Sequence, residues 1–201
     1  MISLDAIWMP ETQQRIFRKV LRAMSYPGRL VDFEAELDAA PAMVGMLACL
    51  LDATTTFCDL DELLPSQTIE LLETQVANPN EAEFVLGDAT REPPETFRPK
   101  LGDIYQPHRG ATVVLVCERL GKGQSVVRCT GPGVNGTEEV CVLGIHQRWF
   151  DARERWVSHF PMGVDMLLCD NARVVGLPRT TCLEYQEKKG STNGVRRDSR
   201  W

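Results

Sequence analysis

The run Ala111-Thr-Val-Val-Leu-Val-Cys117 constrains this chain more than any other stretch. β-Branched and apolar side chains at successive positions put hydrophobic groups on both faces of an extended strand. Such a strand belongs at the centre of a sheet that is covered on both sides. Val164 to Cys169, apolar on both faces in the same way, predicts another inner strand. At 201 residues, 43% of them hydrophobic, the chain is long enough to build this sheet and its covering layers as one domain over residues 1–187.

Elements of both periods interleave along the sequence. From Glu11 to Ser25, Ile16, Phe17, Val20, Leu21 and Met24 form one helical stripe, closed by the turn Ser25-Tyr26-Pro27-Gly28. Gly28 stands where such a turn often needs a positive φ, so an alanine there is expected to cost more than an ordinary glycine replacement. Arg29 to Phe33 reads as a strand, Pro41 to Leu51 as a buried helix, and Thr54 to Cys58 as a strand. A helix is predicted from Ser66 to Val76, followed by a strand at Ala82 to Leu86 and a proline-marked loop through Pro107. Gly121-Lys122-Gly123 suggests a hairpin into Ser125 to Thr130, which Gly131-Pro132-Gly133 ends. Val140 to Leu143 is a strand candidate, His146 to His159 a helix, and Ala172 to Leu177 a final strand. The expected fold class is α/β, a mixed β-sheet covered by helices on both faces.

A formal net charge of −6 argues against nucleic acid or an anionic membrane as the main partner. Positive charge gathers after Glu187, where Lys188, Lys189, Arg196, Arg197 and Arg200 face only Asp198. Residues 188–201 have no apolar periodicity and read as a flexible basic C-terminal tail, or alternatively as an arm for an acidic partner. The 7 cysteines form no CxxC pair and several sit inside apolar runs, which suits a reducing, cytoplasmic setting. Neither a secretory leader nor a membrane span is expected, since the longest apolar run, Pro41 to Leu51, is far shorter than the ~20 residues a span needs.

Several chemistries find no frame in the sequence. Gly131-Pro-Gly-Val-Asn-Gly136 is glycine-dense but lacks the lysine of a Walker loop, and Pro132 removes an N–H that a phosphate would use. Cys141, His146, His108 and His159 are not spaced as metal ligands. Lys19, Lys100, Lys122, Lys188 and Lys189 occupy surface, loop, turn or tail positions rather than a pocket that would hold a pyridoxal cofactor. No nucleophile elbow occurs either. No catalytic, cofactor or metal residue is therefore assigned.

Two charges in apolar surroundings remain, Asp165 in Phe160-Pro-Met-Gly-Val-Asp165 and Arg179 in Leu177-Pro-Arg-Thr-Thr181. A buried carboxylate is costly without a partner, and Arg179 is a candidate partner for Asp165. Such a pair could be a structural ion pair at a sheet end, or part of a polar pocket or subunit contact.

These strings occur in a characteristic order. Phe17-Arg18, Ala23-Met-Ser-Tyr-Pro-Gly28, Arg109-Gly-Ala-Thr112, Gly131-Pro-Gly133, Phe160-Pro-Met-Gly-Val-Asp165 and Leu177-Pro-Arg-Thr-Thr181 together resemble the PhnH family of the bacterial carbon-phosphorus lyase system. The resemblance runs from about Met9 to Glu184. It implies a fold similar to the large domain of pyridoxal-phosphate-dependent transferases without their cofactor. It also implies a homodimer and a complex with PhnG, PhnI and PhnJ. That complex acts in forming ribose 1-phosphonate 5-triphosphate from ATP and a phosphonate. The expected role is an architectural subunit; the alternative is a ligand-binding or catalytic subunit with a pocket near Asp165 and Arg179.

Overall fold

The computed structural model describes residues 5–38 and 40–187. The tail expected at 188–201 lies outside the described residues. Pro10 fits the first turn of α1 (Pro10–Ser25), where a missing N–H costs nothing. After it come β1 (Val31–Asp32), α2 (Glu34–Leu37), α3 (Ala42–Leu50), β2 (Thr56–Asp59), α4 (Ser66–Leu71), β3 (Gln75–Val76) and β4 (Phe84–Asp88). A proline-rich loop leads to β5 (Thr112–Val116), then β6 (Arg119–Thr130), β7 (Glu138–Leu143), α5 (Arg148–Trp156), β8 (Asp165–Cys169), β9 (Arg173–Leu177) and β10 (Cys182–Glu187).

The main sheet has 7 strands in the order β1-β9-β8-β5-β4-β2-β3. β5 lies between β4 and β8, parallel to both, as its doubly apolar sequence requires. β9 runs antiparallel to β8 and to β1, making the sheet mixed. Side-chain alternation sorts its residues onto two cores. Leu86, Val114, Leu167 and Val174 face a layer that includes Ile16, Val20, Met46 and Leu47 of α1 and α3. Val85, Val113, Leu115, Met166 and Leu168 face Trp149, Phe150 and Trp156 of α5, together with Val127, Cys129, Val140 and Val142.

Those last residues belong to a separate antiparallel sheet of 3 strands, in the order β10-β6-β7. Helices lie on both faces as expected, but on the second face α5 shares the cover with this small sheet. Gly121-Lys122-Gly123 is not a hairpin turn. β6 continues through it with a register shift in which both Leu120 and Ser125 oppose Val142. The reversal comes after Thr130, at Gly131-Pro132-Gly133. The helix expected to reach Val76 stops at Leu71, because Glu73 adopts a φ of 51° and Gln75–Val76 pair with Thr56–Phe57 instead. The strand expected at Arg29 to Phe33 shortens to Val31–Asp32, and β10 was not expected at all. Among the described residues no helix is long and apolar enough to cross a membrane.

Candidate functional site

Asp165 begins β8, level with Thr112 of β5. After β9, Pro178 starts a turn closed by the Thr181 N–H donating to its carbonyl at 2.9 Å. The turn swings Arg179 back over Asp165. The Arg179 backbone N–H donates to Oδ1 at 2.8 Å, and its Nη2 and Nε reach Oδ2 at 2.6 and 3.2 Å. Its Nη1 donates to the Pro107 carbonyl at 2.6 Å. The pairing anticipated from sequence is therefore present, with the two side chains 23% and 13% exposed. Both carboxylate oxygens accept from Arg179, as in a charge-assisted fork.

Gly110 makes this arrangement possible. A β-carbon there would lie 2.1 Å from the Gly163 carbonyl oxygen and 2.9 Å from Arg179 Nη1. Three of the ordered strings, those ending at Thr112, Asp165 and Thr181, thus meet at one node. The Gly163 N–H, donating to the Leu101 carbonyl at 2.8 Å, ties in the proline-rich loop.

A second arginine sits behind the first, and sequence reading gave it no role beyond helical spacing. Arg153 of α5 is only 3% exposed. Its Nη2 donates to the Pro178 and Thr181 carbonyls at 2.5 and 3.1 Å. Its Nε and the Thr181 hydroxyl have no partner among the described residues. Burial lowers the Arg153 pKa to about 10, and Asp165 opposes that shift. The guanidinium remains charged at neutral pH. No motif marked it, since an arginine in an amphipathic helix ordinarily faces water. The same burial pushes the neighbouring Cys129 thiol up to about 11 against the pull of Arg153, leaving it protonated and a poor nucleophile at neutral pH. A groove of about 530 Å³ opens beside Arg153 between α5 and β10.

Two further strings, Ala23 to Gly28 and Gly131 to Gly133, form a second node joining the two sheets. Gly28 has a φ of 82°, and a β-carbon there would meet Cys129 Sγ at 3.0 Å and Glu138 Cβ at 3.1 Å. Its N–H donates to the Gly176 carbonyl of β9 at 3.2 Å. The Gly131-Pro132-Gly133 turn packs against Ser25 and Pro27. The turn after α1 therefore touches the main sheet on one side and the small sheet on the other.

The family described as bacterial phosphonate metabolism protein (PhnH) matches residues 6–184. The chain belongs to the PhnH family. Two relatives agree. It is 38% identical over 175 residues to HtxG of Stutzerimonas stutzeri, described as a C-P lyase subunit protein, with 87% of each chain covered. It is 26% identical over 185 residues to the PhnH subunit of α-D-ribose 1-methylphosphonate 5-triphosphate synthase of Rhizobium meliloti (strain 1021), covering 86% of this chain and 90% of that one.

The other residues weighed from sequence do not converge in this PhnH-family chain. His146 Nε2 lies 3.2 Å from Glu92, and His159 bonds its neighbour Ser158 at 2.8 Å. Among the described residues, no group of three His, Cys, Asp or Glu side chains is placed to hold a metal ion. Lys19 pairs with Glu36, and Lys100 lies 3.9 Å from Glu83. At the opposite end of β8, Asp170 lines another crevice, of about 670 Å³. Burial works to raise its pKa, but donors from Leu120, Ala172 and Arg173 outweigh that and hold the carboxyl below its ordinary range.

Proposed function

We propose that this PhnH-family chain is a subunit of a carbon-phosphorus lyase assembly in phosphonate breakdown. In that role it supports formation of ribose 1-phosphonate 5-triphosphate from ATP and a phosphonate, as architecture rather than as the catalyst. The assembly follows from the relatives' descriptions. The architectural role rests on one observation: the Asp165 carboxylate and the Arg179 guanidinium are spent on each other and on the Pro107 carbonyl. A carboxylate held in this way is not free to move a proton.

The finer expectations belong to the same proposal. They are a homodimer, PhnG-, PhnI- and PhnJ-like partners, a cytoplasmic location, and a likeness to the large domain of pyridoxal-phosphate-dependent transferases. The fold likeness is supported by a parallel-centred sheet of 7 strands, the cytoplasmic reading by 7 free thiols. A protein-binding face is supported by α1, where Phe17 and Leu21 are 41% and 49% exposed one helical turn apart, with Tyr26 and Leu30 following at 47% and 43%.

Native mass spectrometry of the chain co-expressed with its operon neighbours, alongside an assay for adenine released from ATP, tests the proposal. The expected result is a hetero-oligomer containing a PhnI-like subunit and no adenine release by the chain alone. Turnover by the isolated chain would overturn the architectural role. The groove beside Arg153 favours a second reading, a ligand pocket. An Arg179→Ala variant that loses ligand binding with unchanged melting would select that reading.

A further inference from the structure

Arg153 holds a buried charge that no carboxylate among the described residues bonds. Only its Nη2 is engaged there, and both acceptors are backbone carbonyls. Asp165 acts on it through space, but that carboxylate is held in the fork of Arg179. Two guanidinium groups thus gather around one carboxylate, and one positive charge is left over. A buried charge without an ionic counterpart is costly, and an anion brought beside it relieves the cost. Thr181, equally buried, has a hydroxyl without a partner among the described residues, so a second donor is available at the same place.

The groove between α5 and β10 leads to these two side chains. At about 530 Å³ it falls within the roughly 300–1,000 Å³ of small-ligand pockets. Helical spacing divides its α5 wall into two rows. Phe150 and Arg153, three residues apart, form the buried inner row, and Asp151 and Glu154, also three apart, form the exposed outer row. Arg148, a basic neighbour on the same helix, is taken by Glu92 at 2.7 Å. The groove is therefore positive at its buried end and negative at its rim. Two rim carboxylates repel a polyanion, whereas a ligand whose own charges are split in the same way is favoured at both ends.

We propose that this groove binds a small zwitterion, an oxyanion joined to an ammonium group by a short carbon chain. The oxyanion sits at Arg153 and Thr181, the ammonium at Asp151 and Glu154, and the carbons between them lie along Tyr185, which also lines the groove. The inference rests on the ligand-pocket reading given above and supplies the chemistry of that ligand; it requires no turnover by the chain. A phosphonate and a carboxylate both accept from a guanidinium, so either oxyanion fits.

Calorimetric titration of the full chain with 2-aminoethylphosphonate, β-alanine, methylphosphonate and ethylamine tests this. At least one of the two zwitterions is expected to bind about tenfold or more tightly than methylphosphonate and ethylamine, and the preferred zwitterion identifies the oxyanion. Arg153→Gln, which keeps a donor for the carbonyls but removes the charge, is expected to weaken zwitterion binding at least about tenfold. The double variant Asp151→Asn, Glu154→Gln changes only exposed positions, so it decides the matter even if Arg153→Gln does not fold. It is expected to abolish the zwitterion's advantage while methylphosphonate binding holds or strengthens. Methylphosphonate bound as tightly as either zwitterion by the unmodified chain would leave an anion pocket and overturn the proposal. Zwitterion binding that survives the double variant unchanged would overturn it too. No binding of any probe would overturn both the proposal and the pocket reading beneath it.

Discussion

The main sheet is covered in two different ways. On its helical face, Ile16, Met46, Leu47 and Leu167 are at most 1% exposed, and no charged side chain is buried among them. On the other face, the aromatic side chains of α5 share the space with Arg153 and with loops whose carbonyls need donors. Helices satisfy their own backbone, so their cover depends on apolar area and shape. A cover built from turns and a small sheet brings backbone oxygens from Pro107, Pro178 and Thr181 inward, and particular groups must meet them. Residues of the ordered sequence strings collect where that need is greatest.

The contrast can be broken most severely at Gly110. Gly110→Ala is expected to cost more than about 4 kcal/mol, since the Gly163 backbone on one side and the paired Arg179 side chain on the other would have to move; denaturant unfolding measures this, and a near-neutral result would mean the node is loose. Asp165→Ala is expected to cost about 3 kcal/mol, toward the low end for a broken buried pair because both side chains keep some exposure. An Asp165→Ala, Arg179→Ala double variant should recover part of that loss in a thermodynamic cycle. Alkaline pH acts on both faces at once. Cys49 and Cys169, against the helical core, are pushed up to about 12, chiefly by burial, and Cys129 to about 11. An unfolded thiol ionises near pH 9 while these stay protonated, so each contributes stability that is complete below pH 9 and is lost as pH rises toward its folded pKa. The loss is about 1 kcal/mol per thiol between pH 9 and 10. Urea titrations across that range, with Cys129→Ala removing one such contribution, check the sign. The smallest effect belongs to the helical face, where Leu47→Met is expected to cost about 1 kcal/mol or less. A larger loss would show that this face, too, depends on particular shapes.

Much of this was legible because it is written in local pattern. The doubly apolar run at β5 specified a central strand, and the Asp165–Arg179 pair followed from the cost of burying a charge. Features set by long-range pairing were not legible. Gly121 and Gly123 look like a hairpin turn, yet the chain only bulges there and resumes its pairing with β7 at Ser125. Helix propensity through Val76 lost to the pairing of Gln75 with Thr56. The strand Cys182–Glu187 did carry a two-residue alternation, in Leu183 and Tyr185, which could have revealed it. Arg153 had no such mark, because its burial arises from where the turn after β9 crosses α5.

The close seating of α1 on β9 has a consequence for how the protein is made. The Ala23 backbone rests against Gly176, so near that a β-carbon on Gly176 would lie 2.5 Å from the Ala23 carbonyl oxygen. On the ribosome, the helix emerges roughly 150 residues before the strand that receives it, a delay of about 8–30 s at ordinary elongation rates. Throughout that interval its apolar stripe has β1 and α3 beside it but lacks the strand that closes it. Nascent chains of this protein are therefore expected to engage holding chaperones through α1 until the last third of the sequence has been synthesised.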